Sequence, residues 1–232
     1  MKKAKLALLC MIAIMVSCNS SNKMDLVLSP STATLHHDEQ QYVHIVGEPT
    51  NAVWTTDDEF VAKVDNGTIT GNHVGTTIVR AQINNQKGTC AVTVKPKYYT
   101  YNEPLTNWSL TRNDIIAMKG TPYRTDGSKI YYQQAEKIFE CYDFENGVMS
   151  NSAVILPITY ISVADFLLER YELYYSEKRQ GVDIYYFINA LSYESANLLV
   201  ALGVQSSQNL LMVAYAPANT GVNKIVARIS KM

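Results

Sequence analysis

Glycoside cleavage needs two carboxylates that face each other across a substrate, commonly from separate elements. Glu140, Asp143 and Glu145 have the right side chains, but they follow one another along a strand-like run and its turn. The spacing predicts a solvated strand edge, not an acid/base pair. The four histidines, at 36, 37, 44 and 73, all lie in the first third of the chain. His36-His37-Asp38-Glu39 contains metal-ligand types, yet adjacent residues on an extended chain point to opposite sides and do not converge on one ion. A solvated turn is expected there. No histidine follows position 73, so a Ser–His or Cys–His nucleophile cannot be built within the second half. Gly-rich phosphate loops and Cys-x-x-Cys pairs are absent. The sequence therefore predicts a protein that is not an enzyme and has no cofactor or bound metal.

Tyrosine is the other residue type with chemistry to offer, at 16 copies against 5 Phe. Its ring packs while its hydroxyl keeps a polar partner, which suits half-buried strands and wet binding surfaces alike. Four pairs stand out: Tyr98-Tyr99, Tyr131-Tyr132, Tyr174-Tyr175 and Tyr185-Tyr186. On a strand, neighbours face opposite ways, so each pair supplies one core ring and one surface ring. Tyr131, Tyr132, Tyr185 and Tyr186 are the candidate ligand-binding residues, with ordinary sheet packing as the alternative.

A different chemistry belongs to Cys18. Lys2, Lys3 and Lys5 form a short basic start, and Leu6 to Val16 is an apolar run of eleven residues. That is too short to cross a bilayer as a helix and has the length of a secretory h-region. Met15-Val16-Ser17-Cys18 resembles the lipobox of bacterial lipoprotein signals, with Met15 in place of the usual Leu. The resemblance implies removal of residues 1–17, lipidation of Cys18 and a lipid anchor in the cell envelope. With Asn19 and not Asp after the Cys, it implies passage to the outer membrane. The alternative is an ordinary signal peptide or short anchor. Residues 18–23 then form a polar tether. Removing Lys2, Lys3 and Lys5 from 20 basic residues leaves 17 against 21 acidic, net −4. Such a balance offers no basic stripe for a phosphate backbone, which argues against nucleic acid. Cys90 and Cys141 are read as buried small apolar residues, one in each domain, although an exported compartment would permit a bridge.

The elements that position these residues fall into two domains, with a boundary near 97. Residues 24–96 carry short β-rich runs at 26–28, 41–46, 52–56, 60–64, 76–83 and 89–94, with no helical period. Asp65-Asn66-Gly67 is a hairpin signal. Trp54 with Thr55-Thr56-Asp57-Asp58, then Ala62, Val64 to Gly67, Ile69 to Gly71, Gly75, Thr76, Ile78 and Ala81, resembles the group 2 bacterial immunoglobulin-like domain, the invasin/intimin-like class. That resemblance implies an all-β immunoglobulin-like sandwich of seven strands, used as a spacer or adhesion module.

Residues 97–232 read as an α+β domain with an internal repeat, its helices on one face of an antiparallel sheet. Thr111 caps a helix to Lys119, Asp114 sits at the capping-box position and Gly120 stops it before Pro122. Strand-like runs follow at 129–134, 137–144 and 148–156, with a turn at Asn146-Gly147. The order repeats after a second capping pair, Ser162 and Asp165, with runs at 183–191, 198–205 and 210–216. Two units of a helix and three strands are expected. Leu110 to Pro122 and Tyr142 to Val148 distantly resemble the SmpA/OmlA-like and β-lactamase-inhibitor-protein group, whose members bind other proteins through an exposed sheet or sit in envelope assemblies. The chain is thus expected to be a non-catalytic binding or scaffold lipoprotein whose partners are the membrane, through the anchor, and an envelope protein. A carbohydrate-binding accessory lipoprotein is the alternative.

Overall fold

The computed structural model describes residues 25–47, 51–179, 181–221 and 225. Residues 1–17, Cys18 and the tether lie outside the described residues. The fold is mixed, with a β-rich N-terminal region and a C-terminal region that combines helices with an antiparallel sheet.

Among the described residues, the N-terminal region has nine strands: β1 Leu28–Ser29, β2 Thr32–Leu35, β3 Gln40–Tyr42, β4 His44–Ile45, β5 Val53–Thr56, β6 Ala62–Asp65, β7 Thr68–Gly71, β8 Gly75–Ile83 and β9 Gln86–Val94. They form sheets in the orders β2-β9-β8-β5, β3-β7-β6 and β1-β4. Alternation along β8 and β9 puts Val79, Ala81, Cys90, Val92 and Val94 into one core with Leu35 of β2, Ile69 of β7 and Val43 between β3 and β4. Each Val, Leu or Ile among them taken from water contributes about 1.5–3 kcal/mol. Two strands, β2 and β7, were not among the sequence runs, because Thr-rich β2 and the four residues of β7 carry little apolar signal. Pro30, which lacks an N–H, separates β1 from β2, and the two pair with different neighbours, β4 and β9. At the β6–β7 turn Asn66 and Gly67 both take positive φ, 47° and 85°, as the hairpin signal requires.

In the C-terminal region α1 Arg112–Lys119 is followed by β10 Arg124–Asp126, β11 Lys129–Ala135, β12 Ile138–Glu145 and β13 Val148–Pro157. Then α2 Val163–Leu168 is followed by β14 Glu172–Arg179, β15 Val182–Ile188, β16 Leu198–Gln205 and β17 Leu210–Pro217. The eight strands form one antiparallel sheet in the order β10-β11-β12-β13-β17-β16-β15-β14. Each unit is thus a helix and a four-stranded meander, and the two meanders join along their last strands, from Ser152 opposite Tyr215 to Pro157 opposite Leu210. The expectation of three strands per unit is corrected to four. The extra strands, β10 and β14, are the outer edges, and their exposed polar sequences (RTD, ELYYSEKR) carry no buried apolar face to reveal them.

The first cap forms as the sequence predicts: Thr111 accepts from the Asp114 amide at 3.3 Å, and Asp114 accepts from the Thr111 amide at 2.8 Å. The second does not. Ser162 makes no side-chain cap bond, and its hydroxyl instead meets the Thr100 hydroxyl at 2.9 Å. Tyr98 to Pro104 read as a short aromatic connector from the sequence, but the segment that follows the last N-terminal strand sends side chains into the core. Tyr101 is buried, its hydroxyl 2.7 Å from that of Tyr215, and Trp108 packs against both helix-side clusters.

The helix side of the sheet buries Val154, Leu156, Val200, Val213 and Tyr215 beneath Val163, Phe166 and Leu167 of α2, and Ile130, Tyr142 and Met149 beneath Ile115 of α1. The opposite face is also buried at its centre, where the cross-strand row Cys141, Ala153, Ala214, Ala201 and Tyr186 clusters with the buried Ile225.

Candidate functional site

Strand alternation separates Tyr131 from Tyr132 and Tyr185 from Tyr186 as the period-2 argument requires, and each of these two pairs has one buried ring, but the less buried rings do not share a face. Tyr132 and Tyr185 occupy the helix side, in the row Tyr132, Glu140, Val154, Val213, Leu202, Tyr185. Tyr131 and Tyr186 occupy the other face, in the row of Cys141 and Ala201. Tyr132 is buried under α1 and donates to the Gly120 carbonyl at 3.0 Å. Tyr186 is fully buried, donates to Glu177 at 2.7 Å and stacks on Tyr175. Tyr131 is half-buried beneath the guanidinium of Arg124, 5.1 Å from its ring centre. Burial and the neighbouring Cys141 push the Tyr131 phenol up to about 12. Only Tyr185 is exposed, at 39%. The two less buried rings therefore lie on opposite faces, and the four tyrosines form no single platform.

Tyr185 instead borders an apolar pocket of about 380 Å³ beside α2. Leu202, Val204 and Leu211 of the sheet form part of its lining, with Val163 of α2 and Phe187 beside Tyr185. Its cause is local: α2 is only six residues long, and the sheet beyond it has no helical cover. Ile161, Leu168 and Leu173 stand around the mouth, Ile161 being 89% exposed. Among the described residues, the only side-chain polar groups lining it are the hydroxyls of Tyr160 and Tyr185. These mouth residues were not singled out in the sequence, where Ile161 and Leu173 look like ordinary apolar positions next to a helix and a strand.

The acidic run does not behave as a solvated edge throughout. Glu140 is 2% exposed, pairs with Lys119 of α1 at 2.5 Å and accepts from Gln134 at 2.9 Å. It sits on the helix side, where burial requires a cationic partner. Asp143 accepts from Ser128 and faces the other way, so the two carboxylates do not converge. Glu145 is exposed at the strand end.

A second ionised cluster lies where the two regions meet. Glu169, 1% exposed, accepts the backbone N–H groups of Lys97 at 2.8 Å and Tyr98 at 3.1 Å and is ion-paired with Arg170. Arg170 stacks on the Phe166 ring at 3.8 Å. Nearby, Tyr171 donates to Glu103, and burial drives the phenols of Tyr101, Tyr171 and Tyr215 far above their ordinary range. A phenol held in its protonated form is a hydrogen-bond donor and not a base. His73, 4% exposed, stacks on Phe60, meets the Phe60 carbonyl through Nδ1 at 2.8 Å and faces Glu172 at 3.7 Å. Desolvation lowers its pKa despite that carboxylate.

Cys90 and Cys141 are both buried free thiols, and burial pushes Cys141 up to about 12, which makes it inert as a nucleophile near neutrality. Among the described residues no three His, Cys, Asp or Glu side chains are grouped to hold a metal ion, and no helix is long and apolar enough to cross a membrane. No family model matches this chain, and no curated protein matches it in sequence.

Proposed function

We propose that this chain is a lipid-anchored, non-catalytic binding protein of the cell envelope. Cys18 anchors it to the outer membrane; residues 24–96 form an immunoglobulin-like spacer of the group 2 class; and residues 97–232 bind a partner protein. The observation that carries the binding reading is the apolar pocket beside α2, with Ile161, Leu173 and Tyr185 exposed around its mouth. An exposed apolar patch of this kind costs solubility unless a partner covers it, and an aromatic rim around an aliphatic pocket is the composition of an interface hot spot. With few polar groups to orient a sugar or nucleotide, the pocket fits apolar side chains of another protein. The buried Glu169 joint supports the spacer role, since it couples the two regions through hydrogen bonds to backbone N–H groups at residues 97 and 98.

The test replaces Leu173 or Ile161 with a photo-crosslinking residue in the native envelope, with Thr125 on β10 as the control. A discrete adduct from the first two sites, absent at Thr125 and lost when Val204→Arg fills the pocket, supports the reading. No adduct, or the same adduct from all sites, refutes it. For the anchor, Cys18→Ala abolishes fatty-acid labelling and membrane retention; a mutant that still takes the label refutes that part.

A further inference from the structure

The N-terminal region contains a groove of about 590 Å³ whose lining is unlike that of the apolar pocket. Its floor is the outer face of the β3-β7-β6 sheet. Gln40, Thr70 and Lys63 stand in one cross-strand row, and Thr68 and Asp65 in the next. β5 and the loop after it form the wall, with Trp54, Thr55, Thr56 and Glu59. Residue types alternate around this surface between donors (Lys63, Gln40), acceptors (Glu59, Asp65) and hydroxyls that serve as either.

Trp54 has two roles. On β5 it pairs with the buried Ala81 and packs against the core, while remaining half-buried at the groove. Its ring lies against the β6–β7 turn, where a Cβ on Gly67 would come within 3.3 Å of Cζ2 and 2.3 Å of the Val43 carbonyl oxygen. Gly67 therefore lets the indole edge and the turn approach each other. Lys63, Glu59 and Asp65 are exposed, and none of the three takes part in an ion pair among the described residues. Floor contacts are light: Gln40 donates to Thr70 at 3.3 Å, and Asp65 accepts from Asn66 at 2.9 Å.

We infer that this groove binds a short neutral oligosaccharide, with a pyranose ring against Trp54 and its hydroxyls on Lys63, Asp65, Glu59 and Gln40. An aromatic wall offers the apolar C–H face of a sugar a surface, and carboxylates and amides accept and donate to its hydroxyl rim. Cross-strand neighbours about 5 Å apart match the width of such a ring. Two carboxylates against one ammonium disfavour phosphate or other anionic ligands. β7, the middle strand of the floor, is paired on both sides, so an extended peptide gains no backbone ladder there. The inference is independent of the partner-binding pocket in the other region, and either stands if the other fails.

The chain has two tryptophans, so Trp108→Phe in the full chain leaves Trp54 as the sole indole. Fluorescence is followed while cellotriose, maltotriose, laminaritriose, xylotriose and chitotriose are added separately, up to about 10 mM, beyond which binding is not specific. The two indole N–H resonances of the unaltered chain give the same reading if that variant does not fold. A saturable change at Trp54 with at least one trisaccharide is expected, weakened about tenfold or more by Lys63→Ala or Asp65→Asn, exposed positions whose loss removes a charged hydrogen bond. No saturable response to any of the five sugars overturns the inference. A response that both variants leave unweakened overturns it equally.

Discussion

Oε2 of Glu169, at the end of α2, accepts the backbone N–H of Lys97 at 2.8 Å, and its other oxygen accepts that of Tyr98 at 3.1 Å. One buried carboxylate thereby ties the exit of the N-terminal region to the end of α2, with Arg170 as its counter-charge. The Glu169 carbonyl adds a bond from the Val74 amide at 2.7 Å.

Glu169→Ala strands the part-buried N–H groups of Lys97 and Tyr98 and a guanidinium that is 13% exposed. The expected loss is about 3–5 kcal/mol, with faster amide exchange at Lys97 and Tyr98. Glu169→Gln, which keeps one acceptor, loses less. Urea unfolding gives the energies, and a loss in Glu169→Ala below about 1 kcal/mol would show that the joint is not structural.

His73 is held below its ordinary 6.5, first by desolvation; the Phe60 carbonyl, Glu172 and the Tyr171 backbone oppose this, and His37 adds to it. A depressed histidine is neutral in the fold, so its contribution is complete above pH 6.5 and falls as pH drops below it, because the unfolded chain takes the proton first. The imidazole resonances of His73 should titrate below 6.5, and Glu172→Gln should move them lower still. The drop in melting temperature from neutral to mildly acid pH should shrink in His73→Gln.

The paired tyrosines of β15 separate packing from binding. Tyr186→Ala removes a fully buried ring and its bond to Glu177, at an expected cost of about 3–5 kcal/mol. Tyr185→Ala, at an exposed position, should change stability by less than about 1 kcal/mol and reduce crosslinking from Leu173. Denaturant titrations of both variants, run beside the crosslinking measurement, decide this. Equal destabilisation by the two substitutions would make Tyr185 a packing residue.

Thr111→Ala deletes the cap of α1, including the hydroxyl that donates to Asp114 at 2.7 Å. A loss of about 1 kcal/mol is expected, read by thermal or denaturant unfolding. Thr111→Ser, which keeps the oxygen, should recover most of it.

Several features of the fold were legible because their causes are local. Asn66-Gly67 and Asn146-Gly147 adopt positive φ in both hairpins, since these residue types accept a torsion that others resist. The Thr111–Asp114 box closes within four residues, and the tyrosine pairs of β11 and β15 split across the sheet because the strand period is two. The same local grammar misled at Ser162, where the right residue type found a nearer partner in Thr100, and it was silent about β10 and β14, whose polar edges need no apolar pattern.

Sequence alone determined turns, one cap, the alternation of side chains and the absence of a histidine after position 73. Tertiary structure decided which side of each strand is buried. Glu140 became a buried ion pair because α1 brings Lys119 over it, Tyr101 became core because its ring packs on Phe166 of α2 and its hydroxyl meets that of Tyr215, and Tyr185 stayed exposed because α2 ends early. Coverage of a sheet face depends on segments tens of residues away, such as the β13–β17 pairing that fuses the two meanders. A period of two fixes which residues share a face, while the water-excluding element above that face comes from elsewhere in the chain.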